Sequence, residues 1–249
     1  MATTTGTPPS PPATGPSVPT APRRRWWRRP WIAPLAFVTV VFIAFSLPPY
    51  LTGDPATSRI PQPEGFPAHY PLLVAHVLFA SVAMLTCFFQ VWPWFRGRYP
   101  VVHRYTGRVY VFAGVLPAGL TGLVIGAGTP FGPVQAASNV MLALLWLGFT
   151  AAGYRMARQR RFVEHRRWML RSFALTFSII TNRIWGVIVF LVLSPQLDTT
   201  FQGNETMLSW TVASLGGWLG WTVPLLISQW WLDRGDAAKR RARLRSRPS

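Results

Sequence analysis

The stretch YPLLVAHVLFASVAMLTCFFQVW, residues 70–92, decides the fold, because its 23 residues include no Asp, Glu, Lys or Arg. An α-helix rises 1.5 Å per residue, so about 20 residues cross the ~30 Å hydrocarbon layer of a membrane. Five other apolar runs of similar length occur in the chain. The pattern predicts an all-α integral membrane protein with six transmembrane helices, at about 31–51, 70–92, 107–127, 135–156, 168–193 and 209–232.

The domain organisation follows from where these runs begin and end. We expect one membrane domain, residues 31–232, in which spans two to five form a four-helix core flanked by spans one and six. Residues 1–30 are rich in Pro and Thr and then in Arg. That composition cannot bury a core, so it predicts a disordered cytoplasmic tail. Residues 233–249 are predicted to be a basic cytoplasmic tail.

The charge distribution excludes nucleic acid as a partner. The chain has a formal net charge of +18 but only 13% charged residues, and 50% of its residues are hydrophobic. The cations fall in clusters between or beside the apolar runs instead of on one soluble face. Clusters of this kind orient a membrane protein, since cytoplasmic loops carry the excess of Lys and Arg.

The cation clusters predict the topology. Five Arg precede the first span, three lie in 93–106, six in 155–167, and seven Arg or Lys follow the sixth span. The loops on the other side contain Arg59 as their only cation, with Asp54, Glu64, Asp198 and Glu205. By the positive-inside rule, both termini are cytoplasmic. We expect a multi-pass protein of the bacterial plasma (inner) membrane.

Polar residues in the outer halves of the spans form a first candidate site. Its members are His76 in span two, Gln135 and Asn139 at the start of span four, and Asn182 and Arg183 in span five. Helical spacing places His76 on a stripe of small and polar residues, and places Arg183 on the face of span five that carries Ser172 and Thr176. We expect these side chains to bind a ligand or to serve as structural polar contacts.

Arg183 is the residue of this set with the clearest physical argument. An arginine inside a span costs a few kcal/mol even on the mildest scale, so it normally faces the bundle and binds something. The spans contain no acidic residue. Its partner is therefore a set of neutral polar groups, an outer-loop carboxylate such as Asp198 or Glu205, or an anionic ligand. The structural alternative is a side chain that reaches the headgroups or pairs with helix carbonyls.

A second candidate site lies at the cytoplasmic side. His103 and His165 stand at the same depth before spans three and five, where they could ligate haem b through two imidazoles, with Gly107 and Gly114 lining the cavity. The alternative is that both histidines cap inner loops and that the neighbouring arginines bind anionic lipid headgroups. No metal site is predicted, because only Glu164 adds a ligand. The lipid-facing basic residues would be Arg104, Arg108, Arg166, Arg167 and Arg171.

A short internal repeat connects the two histidines. The pattern Arg-x-x-Val-x-His-Arg at residues 98–104 recurs at 160–166, each time in an inner loop before a span. One interpretation is a duplicated two-helix hairpin, with spans two and three related to spans four and five by an axis along the membrane normal. The other is coincidence in loops rich in arginine.

The motifs HRYTGRVY at 103–110 and HRRWMLR at 165–171, with His76, resemble a family of predicted bacterial membrane proteins catalogued as a domain of unknown function. The resemblance covers about residues 70–193 and implies no activity. A looser similarity is to two-haem cytochrome b membrane reductases, which hold haem between alternate spans. A second haem would need a histidine opposite His76, where this sequence has Gln135, Ser138 and Asn139.

The function predicted from the sequence is therefore that of a polytopic plasma-membrane protein. We expect a non-enzymatic binding or accessory protein with an Arg/His-rich cytoplasmic face, whose partners are the bilayer, anionic lipid headgroups and another membrane protein. The alternative is a b-type haem electron-transfer protein. The sequence has no Gly-rich phosphate loop and no serine with a credible base, which argues against phosphoryl transfer and hydrolysis.

Overall fold

A computed structural model describes residues 30–245, with the side chains of 30–237 and Leu244. The predicted tail at 1–30 lies outside this part of the chain except for Pro30, as do residues 246–249. The described residues form helices and no strand. The helices are α1 Ile32–Ser46, α2 Pro48–Leu51, α3 His69–Val91, α4 Pro93–Arg98, α5 Pro100–Val109, α6 Leu116–Ala127, α7 Gly132–Arg158, α8 Phe162–Thr176, α9 Ser178–Leu193 and α10 Glu205–Arg245.

The prediction of an all-α polytopic membrane protein is confirmed. Within the described residues, five helical segments are long and apolar enough to cross a membrane: His69–Val91, Pro100–Ala127, Gly132–Arg158, Ser178–Gln196 and Glu205–Ala237. The first predicted span corresponds to α1, a shorter apolar helix of 15 residues. α2 follows it after a single residue and ends at Leu51, which is where the predicted span ends.

Several helices extend beyond the predicted spans. α5 begins at Pro100, and α10 continues to Arg245 through the region predicted to be a basic tail. The ends of the spans were predicted from hydropathy, which falls where a helix leaves the apolar layer of the membrane. The helical backbone hydrogen bonds continue beyond that boundary, because the polar residues that follow have good helix propensity.

The bundle is built mainly from helices that are neighbours in sequence. α3 packs on the segment α5–α6, α6 on α7, α7 on α8, and α9 on α10; α3 also touches α8, and α1 packs on α3. α10 contacts α7 and α8 as well, so it joins the four helices of the predicted core. The buried core consists of Ala83, Cys87, Tyr110, Val115, Ala118, Trp146, Leu175 and Trp221.

The second helix of each proposed hairpin departs from α-helical geometry at a matching position. α5 and α6 are joined by a π-helical turn, Tyr110–Val115, in which the N–H of Leu116 donates to the carbonyl of Val111. Pro117 follows, and a proline has no N–H for an α-helical bond at this point. α8 and α9 are separated at Phe177, which lies 62 residues after Val115. The same separation joins Tyr110 to Ser172, whose side chains are hydrogen-bonded. The duplicated hairpin stays a prediction.

A polar cavity within the helix bundle

The helix bundle contains a cavity of about 940 Å³ with walls from α1, α3, α6, α7, α8, α9 and α10. We call its end of the bundle the cavity end, and the opposite end, which carries α4 and the α7–α8 turn, the basic end. Most of the lining is apolar, for example Leu73, Met84 and Phe190. All five residues of the first predicted site line this one cavity: His76, Gln135, Asn139, Asn182 and Arg183.

His76 is held in one orientation by α6. Its Nδ1 lies 2.8 Å from the carbonyl oxygen of Ala118, and that contact requires Nδ1 to carry the proton. In the neutral ring, Nε2 is then an acceptor. A Cβ built on Gly122 would lie 2.8 Å from Cε1 of His76, so the ring packs directly on the glycine backbone. The close packing fixes a nitrogen acceptor on the cavity wall.

Gln135 supplies a second acceptor. Its Nε2 donates to Oδ1 of Asn139 at 2.8 Å, one helical turn further along α7. Its Oε1 is buried and has no hydrogen-bond partner among the described residues. α10 packs against this side chain at Gly217, because a Cβ built on Gly217 would collide with Oε1 of Gln135. An unpaired buried carbonyl costs about 1–3 kcal/mol, which a ligand donor would recover.

Asn182 lies where α9 and α10 come closest. A Cβ on Gly220 would lie 2.7 Å from the Cα of Asn182, and one on Gly216 would lie 3.1 Å from the Cα of Gly186. Thr181 Oγ1 donates to the carbonyl oxygen of Gly220 at 2.5 Å. The small-residue pattern of α10 therefore packs α9 against α10, and it places Asn182 and Arg183 on the cavity wall.

Arg183 forms no hydrogen bond and no ion pair with any described residue. The salt bridges of the described part of the chain all lie at the basic end. The two carboxylates expected as partners, Asp198 and Glu205, do not pair with it, although Glu205 also lines the cavity. A further cation that the sequence reasoning did not select, Arg59, lies on the same cavity wall. It belongs to a loop, where helical periodicity gives no signal.

The cavity floor adjoins a buried hydrogen-bond network that sequence reasoning also missed. Trp146 and Thr176 line the cavity, and Trp146 Nε1 donates to Thr176 Oγ1 at 3.0 Å. The hydroxyl of Tyr110 lies 2.8 Å from Thr176 Oγ1 and 2.6 Å from Ser172 Oγ. Ser172 Oγ lies 2.6 Å from Thr150 Oγ1. The network joins α7, α8 and the π-helical turn, so it fixes the helices that carry the cavity.

The second predicted site lies at the basic end, and its two histidines have different surroundings. His165 Nδ1 lies 2.8 Å from the carbonyl oxygen of Gly153 on α7. Nδ1 of His103 is buried and has no partner among the described residues. Gln90 of α3 instead donates through Nε2 to the carbonyl oxygen of His103 at 3.1 Å and to Thr106 Oγ1 at 2.6 Å.

The glycines expected beside a haem pack against α3. A Cβ on Gly114 would lie 2.8 Å from the Cα of Ala83, and one on Gly107 would lie 3.3 Å from Oε1 of Gln90. The prediction that Gly107 and Gly114 line a cavity between the histidines is therefore wrong. Helical spacing identified the face correctly, but that face is used for close contact between two helices. The haem site at His103 and His165 itself stays a prediction.

Three of the five arginines predicted to face lipid contact α10. Arg167 forms a 2.7 Å salt bridge with Asp236, and Arg171 donates to Oε1 of Gln229 at 2.6 and 3.1 Å. The Arg166 guanidinium lies 5.5 Å from the ring centroid of Trp231. These contacts fasten α8 to the end of α10. Arg104 and Arg108 are exposed, so they have the accessible position that a headgroup contact requires.

The comparison with protein families identifies the class. Residues 73–232, more than half of the chain, match the family described as predicted membrane protein (DUF2306). The chain belongs to this family of predicted membrane proteins. The match begins inside α3 and ends in α10, so the part of the cavity lining that precedes residue 73, including α1 and Arg59, lies outside it. No curated protein and no solved structure matches the chain.

Proposed function

We propose that this protein binds an amphiphilic molecule inside the membrane, with the apolar part in the cavity and the polar head against the side chains of its wall. One observation carries the proposal. A single cavity of about 940 Å³ brings together five polar side chains that three separate spans would otherwise bury at a cost. Pockets of about 300–1,000 Å³ with mostly apolar walls and a few convergent polar groups are typical of ligand sites.

The hydrogen-bonding groups of the wall limit what the head group is. His76 Nε2 and Gln135 Oε1 are acceptors without partners in the described part of the chain. A hydroxyl group of a ligand is a donor that suits them. A purely apolar molecule would leave every polar group of the wall, Arg183 included, without a ligand contact, which argues against it. The function we infer is therefore binding or accessory, and it needs no chemical step.

The experiment compares two glycine-to-leucine substitutions, one inside the cavity and one outside it, at positions where a Cβ can be added without a clash. Gly186 lines the cavity and Gly148 is exposed on α7; neither has an atom within 4 Å of an added Cβ. The delipidated protein in neutral detergent is titrated with 1-oleoylglycerol and observed by native mass spectrometry. We expect one bound molecule per chain in the wild type and in Gly148→Leu, and at least a tenfold weaker affinity in Gly186→Leu. Equal binding by both variants would contradict the proposal.

The alternative function, electron transfer through a bound haem, can be tested on the same purified protein. A reduced-minus-oxidised spectrum with a sharp b-type band, lost in both His103→Ala and His165→Ala, would establish the electron-transfer function instead. We expect no such band, because Gly107 and Gly114 pack against α3.

The orientation in the membrane belongs to this proposal. We infer that the basic end faces the cytoplasm of a bacterial cell and that the membrane is the plasma membrane, since the cations of residues 93–106 and 155–167 lie at that end. The exposed Arg104 and Arg108 then meet anionic lipid headgroups or another membrane protein. The cavity end faces outward.

A further inference from the structure

Two arginine side chains face the same cavity. Arg183 comes from α9, and Arg59 comes from the loop between α2 and α3. Arg59 is held by α1, because its Cζ lies 3.6 Å from the centroid of the Phe45 ring. The loop and α1 thus bring a second cation to the cavity that Arg183 lines.

The described residues provide no counter-charge for this pair. The ion pairs within them involve Arg161 and Arg167 at the other end of the bundle. Glu205 lines the cavity, but it lies beyond salt-bridge distance of both Arg59 and Arg183. Both residues are exposed and line the cavity, so an acidic head group can reach them and supply the counter-charge that the described residues do not.

The walls beside the two cations are apolar. α1 contributes Phe42 and Ile43, and α9 contributes Val187 and Phe190. α1 packs mainly on α3 and α2. An acyl or isoprenoid chain fits between these walls, while guanidinium groups bind carboxylates and phosphates through paired N–H donors.

We propose that Arg59 and Arg183 form an anion-binding subsite for the carboxylate or phosphate head group of the amphiphile. The inference rests on the proposed function and adds the charge of the ligand. Arg183 anchors the acidic group, and Arg59 distinguishes acidic from neutral head groups. Guanidinium contacts to an anion change affinity by about tenfold or more each.

The test compares ligands that share one chain. Delipidated full-length protein in neutral detergent is titrated with oleate, 1-oleoyl lysophosphatidate and 1-oleoylglycerol, and bound molecules are counted by native mass spectrometry. We expect the two acidic ligands to bind at least about tenfold more tightly than 1-oleoylglycerol. Arg59→Gln and Arg183→Gln should each abolish this preference, and Arg59→Gln, which changes none of the five polar side chains of the proposed site, should leave 1-oleoylglycerol binding unchanged. Arg155→Gln, which removes an exposed cation at the basic end, is the matched control and should retain it.

The outcomes separate this inference from the proposed function. If oleate and 1-oleoylglycerol bind the wild type equally, the anion subsite is wrong and the amphiphile cavity stands. If neither binds, the proposed function itself fails. Competition by inorganic phosphate as strong as that by lysophosphatidate would overturn a lipid source in favour of a free anion. Arg183→Lys keeps the charge and should retain part of the preference, so a poorly folded Arg183→Gln cannot decide the result.

Discussion

At the scale of single residues, depth in the outer halves of the spans selected His76, Gln135, Asn139, Asn182 and Arg183 as candidates, and the structure places all of them on one cavity. Spacing works for such residues because a polar side chain in a span avoids lipid, so its face of the helix is known. Arg59 was missed, since a loop has no periodic face. The role of these residues as a ligand site is our proposal.

Tyr110 gives a prediction at this scale. Its hydroxyl lies between Ser172 and Thr176 and is fully buried. Tyr110→Phe removes two hydrogen bonds but leaves Thr176 paired with Trp146 and Ser172 paired with Thr150. We expect a loss of about 1 kcal/mol, because hydrogen bonds inside membrane proteins are worth about 0.6–1.7 kcal/mol. The unfolding midpoint in detergent should fall by about 2–4 °C.

Tyr105→Phe is the control for this measurement. Tyr105 is 61% exposed on α5, and its ring contact with Arg108 does not need the hydroxyl. Its unfolding midpoint should match the wild type. An unchanged midpoint in Tyr110→Phe would show that the buried network does not stabilise the bundle.

At the scale of helices, hydropathy located the spans but not their internal geometry. The π-helical turn Tyr110–Val115 and the break at Phe177 both fall inside apolar runs, where hydropathy is uniform. Only Pro117 marks the first of them in the sequence. The glycines of α5 and α6 show the same limit. Their spacing identified a close contact, whereas the partner, α3 and not haem, depended on which helix packs there.

The α9–α10 contact gives a prediction for two glycines of one helix. A Cβ on Gly220 would lie 2.7 Å from the Cα of Asn182, whereas one on Gly235 has no atom within 4 Å. Gly220→Val should separate α10 from α9 and lower the free energy of unfolding by about 1–3 kcal/mol or more, because overpacking forces backbone shifts. Gly235→Val should leave it nearly unchanged. Thermal unfolding in detergent measures both, and equal midpoints would contradict the close packing.

At the scale of the whole molecule, α10 was predicted to flank the four-helix core, but it packs into that core. Trp221 of α10 belongs to the buried core, and its Nε1 donates to Ser138 Oγ of α7 at 3.1 Å. The arginines of α8 reach Gln229 and Asp236 of the same helix. α10 therefore packs on α7, α8 and α9 and forms the wall of the cavity beside Gln135.

The topology is the prediction for the whole chain. The distribution of cations predicts both termini in the cytoplasm. Reporters that are active only outside the membrane, fused at residue 2 or residue 249, should therefore give no signal, whereas cytoplasmic reporters at the same positions should be active. A reporter in the loop at Gly65, between α2 and α3, is the positive control. External activity at either terminus would contradict the arrangement with six crossings.

The sequence by itself determined the fold class, the positions of the spans and the set of polar residues inside them. These depend on local free energies of transfer: an apolar run of about 20 residues forms a helix in lipid whatever its neighbours are, and each buried polar group marks an inward face. Only the tertiary structure decided that Arg59 joins Arg183, that Gly114 meets Ala83, and that the arginines of α8 reach α10. Those contacts join residues far apart in the chain, and packing between helices, which no single segment contains, selects them.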